Sequence, residues 1–209
     1  DYVDAFCEKG YFGLAETELL LDASEALGMK SKVHANQFNE IGGVNLCVKK
    51  RSLSVDHLEV CGPVAIQALI QGMEAGSLEE AHPTYPVALP GCSHFLGIPY
   101  TPARTLIDAG LPLVLATDHN PGSAPSGDMG MAVRLGSLKM GMTPLEAIAA
   151  ATLNGAAAME LSHEVGALGR GHRANFILTK PLAGLQELAY RFTDPYVDKV
   201  FVNGEIWGA

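Results

Sequence analysis

The sequence predicts an α/β fold made of successive strand–helix units that ends in a short antiparallel β segment. Three observations lead there. Short apolar runs without helical period alternate with amphipathic stretches, and the strand ends fall roughly twenty to thirty residues apart. The run Leu111–Leu115 has no polar alternation, as expected of a strand buried on both faces of a parallel sheet, and it empties into Ala116-Thr117-Asp118-His119-Asn120-Pro121-Gly122-Ser123. After Met159 the character changes to turn-rich sequence and short β runs.

Taken in order, Val3 to Cys7 reads as a strand. Leu14 to Leu27 reads as an amphipathic helix with Leu14, Leu19, Leu20, Ala23 and Leu27 on its apolar face, closed by Gly28. Lys30 to Ala35 is a strand that carries His34 near its end, and a loop with Gly42-Gly43 leads into a helix to about Lys50. Leu53 to Leu58 is the next strand, ending on Asp56-His57. Pro63 suits a first helical turn, and Val64 to Met73 has helical spacing. Glu74 to Pro83 is polar and bears glycine, and is expected to be a loop. Tyr85 to Gly91 is strand-like, and Pro102 to Ala109 is helical. Leu111 to Leu115 leads into Asp118, and Met129 to Met140 forms a helix. Thr143-Pro144-Leu145-Glu146 combines an N-cap, a first-turn proline and a capping-box glutamate, opening a helix expected to run to about Met159. Ala174 to Thr179, Val197 to Val202 and Glu205 to Trp207 are short β segments, the last two joined by the hairpin signal Asn203-Gly204.

The spacing fits a (β/α)₈ barrel, and a doubly wound sheet fits locally. No glycine-rich phosphate loop follows any strand, which counts against dinucleotide binding. Of the 209 residues, 48% are apolar and 18% charged, so disorder is excluded. The net charge of −9 argues against a nucleic-acid partner. The one basic cluster, Lys49-Lys50-Arg51, is read as a helix terminus. Four scattered cysteines, Cys7, Cys47, Cys61 and Cys92, suggest free thiols and a cytoplasmic setting. No apolar stretch is long enough for a membrane span. The chain opens on Asp1 in what reads as the middle of an element, so a piece of a longer protein is expected.

His34, His57 and Asp118 each fall at a strand's C-terminal end, where the ligands of α/β sheets and barrels bind. Imidazole and carboxylate are donors for Zn²⁺ and Fe²⁺, and a metal so held activates water. Gln37, three residues after His34, offers an amide that donates and accepts. Asn120, Gly122 and Ser123 offer an amide, a backbone N–H and a hydroxyl over the same mouth. His119 is expected to point away from Asp118, and the remaining histidines and Arg104 are assigned no chemistry.

Five stretches carry a resemblance: Val33-His34-Ala35-Asn36-Gln37-Phe38-Asn39, Ser54-Val55-Asp56-His57-Leu58, Leu89-Pro90-Gly91-Cys92, Pro99-Tyr100-Thr101-Pro102-Ala103-Arg104 and Ala116 to Ser123. In this order they resemble the imidazolonepropionases of the amidohydrolase superfamily, over nearly the whole chain. The resemblance implies the C-terminal half of a metal-dependent (β/α)₈ TIM barrel over residues 1–160. Residues 161–209 would be strands of a composite β-sandwich. It implies hydrolytic opening of 4-imidazolone-5-propanoate to N-formimidoyl-L-glutamate in histidine degradation, with one Zn²⁺ or Fe per complete chain. His34 would be a metal ligand from the fifth barrel strand. Asp118 would be a ligand from the eighth and would carry the proton of the attacking water. His57 would help polarise the substrate carbonyl, while Gln37, Asn120, Gly122 and Ser123 would hold substrate or product. A small-molecule substrate and a homodimer of the full-length protein are further expectations. The family's His-x-His ligand pair has no counterpart here, so half of the metal site is expected upstream and the chain alone is expected to be inactive. His119 stands where relatives carry an aromatic residue, and the 74–83 stretch looks longer and more polar than its equivalent. Two alternatives stay open: another cyclic amidohydrolase or nucleobase deaminase, and a non-catalytic α/β binding module. Gln37 cannot act as a general acid or base, which argues against deamination.

Overall fold

The computed structural model describes residues 1–78 and 82–208. Short strands β1 (Tyr2–Val3) and β2 (Phe6–Cys7) open the chain, followed by α1 (Leu14–Ala26), β3 (Lys30–Ala35) and α2 (Gly43–Lys49). Then come β4 (Ser54–His57), α3 (Pro63–Leu78), β5 (Tyr85–Ala88), α4 (Pro90–Leu96), α5 (Ala103–Asp108) and β6 (Val114–Leu115). Helices α6 (Met129–Lys139), α7 (Pro144–Ala151) and α8 (Leu153–Ala158) follow. The chain closes with β7 (Phe176–Thr179), α9 (Glu187–Tyr190), β8 (Val197–Val202) and β9 (Glu205–Ile206). The first six strands form one parallel sheet in the order β1-β3-β4-β5-β6, with β2 also on β3. The last three form an antiparallel sheet in the order β7-β8-β9.

Register sorts the parallel sheet into two faces. Val33, Ala35, Val55, Leu113 and Leu115 are buried against Leu21, Val44, Cys47, Leu69 and Leu106 of the helices, and this is the main core. The alternate rung runs Phe6, His34, Asp56, Val87 and Val114, each paired with the next. Val87 and Val114 on this second face pack with Leu89, Cys92, Ala124 and Ala158 in a smaller cluster. One face of the sheet is thus covered by helices, and the other carries a mixed row of aromatic, ionisable and aliphatic side chains.

Several expectations are corrected. The first strand is two short ones, split at Asp4-Ala5. The buried side of α1 is Thr17, Leu21 and Ser24, whereas Leu14, Leu19 and Leu27 are exposed. The expected loop at 74–83 is helical as far as Leu78, and residues 79–81 lie outside the described residues. Pro90-Gly91 does not end a strand but starts α4, with proline in its first turn. The long alanine-rich helix breaks at Thr152, whose backbone leaves the helical region and whose hydroxyl donates to the Ile148 carbonyl at 2.6 Å. The capping box of Thr143 and Glu146 forms as read, and Asn203 and Gly204 both adopt positive φ, as a tight hairpin requires. Trp207 lies beyond β9. No helix of the described residues is long and apolar enough to cross a membrane.

Candidate active site

The C-terminal ends of β3, β4 and β6 converge, and the chain turns sharply at each. Asn36, His57, Leu58 and Asp118 all have positive φ (58°, 85°, 65° and 54°). Non-glycine residues adopt this region at a cost of about 1–3 kcal/mol each, so the surroundings must hold them there. The consequence is largest at His57. Its register partner is Ala35, on the helix-covered face, so simple alternation would send its ring away from His34. The left-handed turn brings the ring back, and the His34 and His57 ring centroids lie 5.2 Å apart. Phe6 flanks both rings, at 6.4 Å and 6.2 Å.

His34 sits between two carboxylates. Its Nδ1 is 2.9 Å from Asp4 Oδ1, and its Nε2 is 3.9 Å from Asp118 Oδ1. Burial opposes protonation of this ring, but the Asp118 and Asp4 carboxylates outweigh it and push the imidazole up to about 10. For Asp118 the balance is reversed in sign: burial favours the neutral acid, yet His34 and then His57 hold the carboxyl below the usual range. Three of the residues singled out from sequence, His34, His57 and Asp118, are therefore brought together.

The other candidates are placed less directly. Gln37 is buried and its amide Nε2 donates to Cys92 Sγ at 3.3 Å. Asn120, Gly122 and Ser123 stand over the mouth, but their polar groups are turned on one another. Asn120 Oδ1 accepts from the Gly122 and Ser123 N–H groups, both at 2.8 Å, and its Nδ2 donates to the Asp118 carbonyl at 2.7 Å. The free amide and N–H read from sequence are thus already bonded, and the loop is a shelf bonded to itself and to the backbone at Asp118. His119 is exposed.

Sequence reasoning missed the residues that hold this arrangement. Glu8, 1% exposed, accepts the backbone N–H groups of Lys9, Phe38 and Asn39 and so pins the loop that carries Gln37. Glu59 lies against His57, Ser93 bonds to Glu59, and Thr101 donates to the His57 carbonyl at 2.6 Å. Asp56 is in register with His34 on the same face, with Oδ1 buried and without a hydrogen-bond partner among the described residues. A carboxylate two residues from a strand-end histidine was the available signal for Glu59. Nothing in the sequence marks Glu8.

As a metal site the donor set is partial. The His34 imidazole and Asp118 carboxylate are suitable donors, and 3.9 Å lets both reach one cation at about 2.0–2.2 Å. Among the described residues no group of three or more donors could hold a metal ion, and catalytic zinc sites use three protein ligands. The residues fit one side of a site whose other ligands are not among them.

The profile of the amidohydrolase family matches residues 12–207. The imidazolonepropionase of Flavobacterium johnsoniae is 52% identical over 206 residues, covering 99% of this chain and 48% of that protein. That of Christiangramia forsetii is 50% identical with the same coverage. The chain spans about half the length of the curated relatives it matches. A zinc-bound adenosine deaminase from Xanthomonas campestris superposes with a TM-score of 0.74 at 18% identity, over 98% of this chain and 50% of that one. The ochratoxinase of A. niger gives 0.71 at 19%, over 99% and 50%. At such identities the likeness speaks for the fold: part of a (β/α)₈ barrel followed by a small antiparallel sheet. From the profile match and the fold together, the chain belongs to the amidohydrolase family.

Proposed function

We propose that this chain is the C-terminal half of an imidazolonepropionase, which opens the ring of 4-imidazolone-5-propanoate by hydrolysis to give N-formimidoyl-L-glutamate. The observation that carries the reading is identity of 50–52% to two curated imidazolonepropionases over 99% of the chain. In this reading residues 1–160 are the second half of the barrel, and residues 161–209 join upstream strands in a β-sandwich. The substrate is a small molecule. A cytoplasmic location and a homodimeric full-length protein come with the resemblance alone.

His34 Nε2 and Asp118 Oδ1 would hold one Zn²⁺ or Fe together with ligands from the upstream half. The zinc named with the Xanthomonas neighbour favours a metal of this kind. When bound, the metal would supply Lewis acidity toward the substrate carbonyl and a lowered pKa for water. The chain's own residues then have separate tasks. The Asp118 carboxylate, 15% exposed, takes the proton of the attacking water on its oxygen and passes it to the ring nitrogen that leaves. The His57 ring, held beside His34, faces the carbonyl under attack. Gln37 meets the polar substrate, and the Asn120–Ser123 shelf contacts it from above.

The test uses the full-length protein. Bound metal is quantified and loss of imidazolonepropionate is followed by absorbance, with Asp118→Ala alongside. The expected result is about one metal per chain and a fall in turnover of about 10²–10⁴-fold or more in the variant. Metal without turnover of this substrate would sink the reading while leaving the family assignment intact.

A further inference from the structure

We infer that Glu59, backed by Ser93, is a positioning residue that fixes which edge of the His57 ring faces the strand-end mouth; the inference rests on the imidazolonepropionase reading for what that ring does. Glu59 is a buried carboxylate with no lysine or arginine paired to it among the described residues: its side chain is 0% exposed and that of His57, its imidazole neighbour, is 4% exposed. Its Oε1 accepts from Ser93 Oγ at 2.8 Å and lies 3.4 Å from His57 Nδ1. Its Oε2 is buried with no hydrogen-bond partner among the described residues.

Stability does not explain this group. Burying a carboxylate is unfavourable unless its oxygens are fully bonded, and an apolar side chain of similar volume would usually serve the core as well or better. The backbone is also arranged around it. Two consecutive left-handed residues, His57 and Leu58, fold the chain so that Glu59 turns back under the ring two residues earlier. This turn is bolted on three sides. The Thr101 hydroxyl donates to the His57 carbonyl at 2.6 Å. The Leu58 N–H donates to the Ala35 carbonyl at 3.3 Å. Asn36 closes the third side: its carbonyl accepts the Val60 N–H at 2.9 Å and its Nδ2 donates to the Val60 carbonyl at 2.8 Å. Strain and an incompletely bonded carboxylate meet at one imidazole.

The chemical result is directional. A hydrogen bond at one ring nitrogen sets the orientation and the duty of the other. With Nδ1–H donated to Glu59, the ring cannot flip, and Nε2 is the nitrogen left for the substrate. Ser93, in the first turns of α4, holds the carboxylate in turn, so α4 supports the site without reaching substrate.

The experiment uses the full-length protein with Glu59→Gln, Glu59→Leu and Ser93→Ala. The readouts are steady-state kinetics and the ring N–H region of the proton spectrum with ¹⁵N-labelled histidine; a His57→Asn variant assigns the signal. A hydrogen-bonded Nδ1–H proton from His57 is expected in the wild type, weakened in Glu59→Gln and lost in Glu59→Leu. kcat is expected to fall about 10–100-fold in Glu59→Leu with KM changed less than about threefold, and the isosteric Glu59→Gln to recover part of it. Ser93→Ala, which spares the carboxylate, keeps the test open if Glu59→Leu does not fold: it should weaken the same proton signal. A signal indifferent to all three substitutions, or kcat within about twofold of wild type in folded Glu59→Leu, overturns the inference. If the wild type does not turn over imidazolonepropionate but the Nδ1–H signal follows Glu59, the positioning stands and the substrate assignment falls.

Discussion

Glu8 shows how a residue far from any motif governs the site. Three backbone N–H groups converge on its carboxylate, two of them from the loop that follows His34. Burial alone would raise its pKa, but these donors outweigh burial and hold the carboxyl below its ordinary value. A depressed folded-state pKa contributes stability above the unfolded value of about 4.3, lost as pH falls through the folded value. Glu8→Ala should therefore destabilise the full-length protein by about 1–3 kcal/mol at neutral pH, because it leaves buried donors unbonded. Denaturant midpoints at pH 7 and pH 3 check this, with the variant's deficit shrinking at the lower pH. At this scale the sequence was readable for identity and not for geometry. His34 and Asp118 were found because strand ends are visible in hydrophobic pattern. That His57 faces them depends on a φ of 85°, for which a non-glycine residue leaves no sequence mark.

Among the elements, what was readable was what local chemistry decides. Thr143 and Glu146 cap α7 reciprocally, and Glu146 also takes both of its oxygens to Arg104 Nη1 at 3.0 and 2.9 Å. The Arg104 guanidinium and then the Thr143 N–H hold Glu146 down to about 2. Its contribution is thus present above pH ~4.3 and lost as pH falls toward 2. Glu146→Gln should lower the melting temperature modestly at pH 7, by about 0.5–1 kcal/mol in stability, and the wild-type and variant curves should converge in acid. What was misread were glycines serving close approach. A Cβ on Gly72 would sit 3.0 Å from Val48 Cγ1, and one on Gly76 2.7 Å from the Pro83 nitrogen. Gly76 read as a loop signal, and Gly72 lay unremarked inside the expected helix, yet both let α3 lie near its neighbours. Gly43 is the sharpest case: a Cβ there would meet Ala35 Cβ at 2.9 Å and Cys7 Sγ at 3.2 Å. Gly43→Ala should cost about 1–3 kcal/mol by forcing α2 off the sheet, visible as a lowered denaturant midpoint with unchanged slope. Which face of α1 is buried was also hidden, since Thr17 and Ser24 go inward while Leu19 and Leu27 stay out.

The whole molecule poses a different problem: its sheet has two open edges and a second face that is only partly covered. One face is sealed by helices; on the other Val87 and Val114 are buried while the His34 side chain and that of Asp118, beyond β6, stay 28% and 15% exposed, and the sheet ends at β1 and β2 on one side and β6 on the other. Such edges offer unpaired N–H and C=O groups to any other strand. Beside the first edge, Tyr11 is 63% and Phe12 53% exposed; on the later segment Tyr190 is 81% and Trp207 72% exposed. The chain is also acidic where a cation is wanted, since Asp4, Asp56 and Asp118 all approach His34. Ordered motifs made the fold readable at this scale, because four of the five end or directly follow a strand; in the imidazolonepropionase reading the upstream half left its clearest trace in the absent His-x-His pair. The prediction follows from incompleteness. Expressed alone, residues 1–209 should bind an apolar dye, self-associate in gel filtration, hold no metal through a desalting step and turn over no imidazolonepropionate. Co-expressed with an upstream half taken from the full-length protein, they should elute as one complex, lose the dye signal and retain metal. A monomeric, dye-silent and active 209-residue chain would show that the inner face needs no partner, and that the ligands missing beside His34 and Asp118 are not required for the chemistry.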